Sequence, residues 1–185
     1  MAKSQTNSSA ERPTHPLLEE LRALTAAAAT EGLFAYSVKI VCGRQTETNC
    51  CCAAGARPGV YATEVNIQNL NLVRAPVVKF VQPLINSGAV VAREPKVADP
   101  ATPGRAIEAV TLPPLGATMD DCCRIGEMLP PPSGEAGLTI AILSIVSQLE
   151  LSVSAVYTAN PLTGDGVSID VEYIPSRRLV VGRQG

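Results

Sequence analysis

Apolar and polar residues alternate with a period of two along most of the chain. Tyr36, Val38, Ile40 and Cys42 alternate with Ser37 and Lys39. Tyr61, Thr63, Val65 and Ile67 alternate with Glu64, Asn66 and Gln68, directly after the turn signal Pro58-Gly59. Successive side chains of a strand point to opposite faces, so each run predicts a strand with one buried face. Residues 72–84 predict a third strand, interrupted at Pro76, because proline cannot donate to a ladder and suits an edge or bulge. Val90–Arg93 predicts a short strand, and Ile107–Leu112 another, stopped by Pro113-Pro114. Leu138–Val146 is almost wholly apolar, the pattern of a strand buried on both faces. Leu151, Val153, Ala155 and Tyr157 alternate with Ser152, Ser154 and Thr158. Val167, Ile169, Val171 and Tyr173 alternate with Ser168, Asp170 and Glu172. A polar turn with Asn160, Pro161 and Gly164 separates these last two runs, which predicts a hairpin.

The period is helical only near the start. Thr14 suits a cap, Pro16 a first turn, and Glu19 and Glu20 the positive end of a helix dipole. Leu17, Leu21, Leu24 and Ala28 share one face, and Gly32 ends the segment. Its apolar stripe needs a cover, supplied by its own domain or by a neighbouring subunit. Asp120–Leu129 predicts one or two further helical turns. Residues 94–105 read as a loop, and Pro130-Pro131-Pro132-Ser133-Gly134 as a stiff connector. The predicted fold is all-β: a two-sheet antiparallel β-sandwich of seven to eight strands with one N-terminal α-helix. Residues 1–13 form a polar tail, 14–32 the helix, 33–176 the sandwich and 177–185 a C-terminal tail.

Composition narrows the function. The chain has 185 residues, a net charge of −2, no Trp, two Phe and four Tyr. It offers neither a basic footprint nor stacking platforms for nucleic acid. No apolar run is long enough to span a membrane as a helix. Residues 1–14 lack an apolar signal core, so the expected compartment is the cytoplasm, with export by another route left open. Arg177, Arg178 and Arg183 read as part of a solvated tail.

Five segments carry a family resemblance. They are Val38–Gly43, Pro58–Ile67, Ile145–Leu151, Ala155–Ala159 and Ser168–Pro175. Together they resemble an uncharacterised family of small bacterial β-sandwich proteins with a Val-Cys-Gly strand and an Ala-Val-Tyr-Thr-Ala strand, over about residues 34–178. The resemblance implies a fold and no activity. A looser likeness, in strand order and loop style, is to the soluble transducer of sensory rhodopsin, an oligomeric β-sandwich.

Chemical potential lies in six cysteines: Cys42, Cys50, Cys51, Cys52, Cys122 and Cys123. Thiolates are ligands for zinc or copper. The spacing lacks a C-x-x-C knuckle, and adjacent cysteines in extended chain point apart. Cys42, in phase with Val38 and Ile40, also reads as a small buried hydrophobe. The loop cysteines could instead bond to Cys122 or Cys123, or cross-link subunits. A redox cysteine beside Arg44 or Arg124 is a third option. The single histidine, His15, is poorly placed for a rigid catalytic site. Asp120 and Asp121 suit a helix start, and Gly164-Asp165-Gly166 is a hairpin signal. The expectation is therefore a non-catalytic, self-associating structural or interaction module that forms a homo-oligomer, with no small-molecule ligand identified. The alternative is a thiolate metal-binding protein.

Overall fold

A computed structural model describes residues 32–46, 57–93, 96, 107–131, 137–164 and 166–179. The helix expected at 14–32, the cysteines at 50–52 and nearly all of the 94–105 loop lie outside the described residues. Within them the chain is all-β. Ten strands occur there, in the order β1 (Leu33–Gln45), β2 (Gly59–Gln68), β3 (Ala75–Asn86), β4 (Ala89–Val90), β5 (Ile107–Leu112), β6 (Ala117–Asp120), β7 (Thr139–Ser147), β8 (Ser152–Asn160), β9 (Ser168–Tyr173) and β10 (Arg177–Leu179). One short helix, α1 (Cys122–Glu127), sits between β6 and β7. Every strand pair is antiparallel.

The strands form one hydrogen-bonded network, ordered β4-β3-β7-β1-β2-β8-β9, with β10 on β1, β5 on β3 and β6 on β2. Strand β1 is shared between two arms. Its residues Phe34–Cys42 pair with β7, and Gly43–Gln45 pair with β2. Gly43 makes the transfer with φ of 102°, where a side chain would be strained. A Cβ there would also lie 2.4 Å from the carbonyl oxygen of Gly137.

The alternating runs bury their apolar sets as period-two patterning requires. Tyr36, Val38 and Ile40 of β1 meet Val77 and Val81 of β3, and Leu143 and Ile145 of β7. Val65 and Ile67 of β2, with Val153 and Ala155 of β8, belong to the same core. Tyr36 places a polar atom there and satisfies it twice. Its hydroxyl donates to the Leu151 carbonyl at 2.9 Å and accepts from the Leu151 N–H at 2.6 Å. Six residues are too few for a stable isolated helix. Helix α1 holds because Asp121 caps it, accepting from the Arg124 N–H at 2.8 Å, and because Ile125 is buried. Burying that side chain stabilises by roughly 1.5–3 kcal/mol.

Several expectations need correction. There are ten strands here rather than seven or eight. Ala117–Asp120, where no strand was expected, is strand β6, so Asp120 ends a strand instead of opening the helical turns expected over Asp120–Leu129. Residues 177–179, expected in a C-terminal tail, form strand β10 on β1, and Arg178 lies over the Phe34 ring at 4.9 Å. A cation on an aromatic face adds about 0.5–1 kcal/mol at an exposed site, which favours docking over solvation. The hairpin β8–β9 is present, but every residue of β9 is exposed instead of half being buried.

Candidate functional site

Cys42 occupies an inward position near the end of β1, and Cys122 opens α1. Their sulfurs are bonded to each other at 2.00 Å, with Cα atoms 5.7 Å apart. This corrects the metal reading for both residues. A sulfur committed to a disulfide has no thiolate charge to offer zinc or copper. It also refines the reading of Cys42 as a buried hydrophobe: the residue is buried, but as half of a cross-link. The Thr63 N–H donates to the Cys122 sulfur at 3.3 Å. Cys123 is free and exposed. Among the described residues, no three potential ligands gather at one point. Spacing did not foretell this pairing, because the bonded residues are 80 positions apart. Only the fold brings the end of β1 to the start of α1.

A second constellation was missed by sequence reading. Lys79 of β3 and Asp120 of β6 are both buried. The Lys79 ammonium donates to Asp120 Oδ1 at 2.6 Å and to Oδ2 at 2.9 Å. Glu108, paired with Lys79 in register on β5, approaches it at 3.5 Å. Arg124 of α1 pairs with Glu108 and with Glu127. Asp120 stands in register with Val65, on the inner face of the β2 arm. The pair therefore bridges β3, in one arm, to β6, in the other. Both cations are paired with carboxylates within the network, so Arg124 is not a free cation for a cysteine. The apolar run around Lys79 gave a local hint: a lysine in phase with Val77 and Val81 must be buried with a partner.

The third feature is a surface. On β9, Ile169, Val171 and Tyr173 are opposite Thr158, Val156 and Ser154 of β8. They lie on the outer side of the sheet, away from Ala155 and the core. Their exposures are 64%, 66% and 62%, and Val167 beside them is 61% exposed. Three large apolar side chains on one strand, with Val167 just before it, make a patch that isolated surface residues do not. Asp170 and Glu172 take the opposite, inner side, in register with Tyr157 and Ala155. The Tyr157 hydroxyl donates to Glu172 at 3.3 Å. Burial, and secondarily the Glu172 charge, pushes the Tyr157 phenol up to about 12.

No family model matches the chain. No curated protein matches it either. A solved structure, that of Thermotoga maritima 1070, aligns with a TM-score of 0.41 and 9% identity, covering 78% of this chain and 92% of that one. No helix among the described residues is long and apolar enough to cross a membrane.

Proposed function

We propose that this protein is a non-catalytic structural or interaction module that self-associates, built as a two-sheet β-sandwich. The common core beneath β3, β7, β1, β2 and β8 supports the sandwich reading, because inward side chains of both arms belong to it. The outer face of β8–β9 carries the self-association reading. Two modes are open to such a strand, and charge decides between them. Antiparallel pairing of two β9 edges about Val171 would set Asp170 against Glu172 of the second copy, and about Asp170 would set the two Asp170 side chains together. Like charges directly opposite each other destabilise a ladder. Stacking the outer faces avoids this, since both acids then point away from the contact. The contact would bury Ile169, Val171, Tyr173 and Val156 of each copy.

Light scattering on eluting protein tests the reading. The protein is expected to run as a dimer or larger, and Ile169→Lys to shift it toward the monomer with the fold intact. A monomer at micromolar concentration overturns it. The thiolate-metal alternative would now have to rest on Cys123 with Cys50, Cys51 and Cys52. The Cys42–Cys122 bond also favours an oxidising compartment over the cytoplasm.

A further inference from the structure

A cleft of about 650 Å³ runs beside the middle of β1, lined in part by Ser37, Lys39, Phe80, Tyr157, Glu172 and Arg177. Its floor is an unfilled lane in the strand network. Strand β10 covers the outer edge of β1 only at Leu33–Ala35, and β2 covers it only at Gly43–Gln45. The chain that could have filled the gap is drawn off: the Ile174 N–H bonds to the Val153 carbonyl at 2.9 Å, and Pro175 has no N–H.

The backbone groups in the lane have a definite direction. The Val41 N–H donates to the Thr63 hydroxyl at 3.0 Å, and that hydroxyl donates to the Val41 carbonyl at 3.1 Å. Val41 therefore turns both groups away from β7. In an antiparallel ladder this orientation recurs at every second residue. Ser37 and Lys39 turn their N–H and C=O the same way, into the cleft, and no strand among the described residues receives them. Both residues are exposed.

Charge defines what would fit. Lys39 and Arg177 project from the same side of the sheet, because Arg177 stands opposite Ala35. Neither has a carboxylate partner among the described residues. They lie about 13 Å apart along the strand, four residues at 3.3 Å each. A residue added opposite Ser37 would sit diagonally between them. Its neighbours in sequence would point the other way, toward Tyr157 and Ile174. We propose that this lane binds an extended peptide by strand addition, with a carboxylate side chain between Lys39 and Arg177 and apolar residues on either side of it. This is independent of the β8–β9 contact.

The probe is a labelled, blocked pentapeptide, Thr-Val-Glu-Val-Thr, titrated against the full-length protein and read by fluorescence anisotropy. Saturable binding is expected, weakened about tenfold by Lys39→Glu or Arg177→Glu, the loss of one charge-assisted contact. Both residues are exposed, and circular dichroism verifies that the variants fold. Replacing the peptide's Glu by Lys, or methylating the Glu backbone nitrogen, is expected to abolish binding. Equal binding of the methylated peptide would overturn strand addition. Absence of saturation would overturn the site. Binding that falls as protein concentration rises would show the lane already filled by a second copy, and would overturn the peptide reading. A lysine on a free edge can also serve only to repel strands. In that case Lys39→Glu would leave peptide affinity unchanged, which likewise overturns the proposal.

Discussion

Single side chains carry the polar detail of this core. Asn69 is fully buried at the end of β2, and its amide donates to the carbonyls of Val73 at 2.8 Å and Pro113 at 2.9 Å. Its oxygen accepts from the Asn71 N–H at 3.0 Å, so one residue ties two turns together. Nothing in an isolated asparagine announces that role, since a turn and a solvated loop favour it equally. Tyr36 was legible as an inward residue, but not as a bridge to Leu151. Burial pushes its phenol above the ordinary 10.0, and pushes that of Tyr157 to about 12. The folded state thus favours both phenols neutral. Their contribution to stability is complete below pH 10 and is lost as pH rises through the raised values, which for Tyr157 means toward about 12. Ultraviolet titration is expected to show a late-ionising component that is reduced by one phenol in Tyr157→Phe. A curve lacking a late component would contradict this.

Among the elements, the strands with alternating or continuous apolar runs were read best. Strands β1, β2, β5, β7 and β8 follow their predicted runs within a few residues, because alternation and burial enforce one another. The helical turns expected within Asp120–Leu129 are present as α1, but two short strands were not legible. Strand β6 has four residues, and β10 has three. Each exists because a neighbouring edge offers it a ladder. Strand β6 also positions Asp120 against Lys79. Asp120→Ala would leave the buried ammonium facing Glu108 alone, and is expected to cost about 3–5 kcal/mol. The double replacement Lys79→Met with Asp120→Leu is expected to recover most of that loss. Urea unfolding of the three proteins decides it. Equal stability of Asp120→Ala and the parent would mean that the pair does not hold β3 to β6.

For the molecule as a whole, one covalent link spans the topology. The Cys42–Cys122 bond closes a loop across 80 positions of sequence, joining the shared strand β1 to α1. Cross-links over such distances restrict the unfolded chain strongly, by roughly 4 kcal/mol. Replacing both cysteines with alanine is expected to lower unfolding free energy by about that amount, with the native strand content retained. Reduction of the parent protein is expected to produce the same drop. Unchanged stability on reduction would argue that the bond contributes nothing.

Period-two alternation on its own determined the all-β class, most strand positions and the inward residues, because a pleated chain with one buried face leaves that imprint locally. Residue type alone marked six cysteines as the chemical candidates. Their partners were a matter for the tertiary structure, which bonds Cys42 to Cys122 and so withdraws two of the six from metal chemistry. The same holds for the sharing of β1 through Gly43, the burial of Lys79 against Asp120, the open lane at Ser37 and Lys39, and the exposure of β9. Each of these depends on which distant segments become neighbours, and a local pattern carries no record of that.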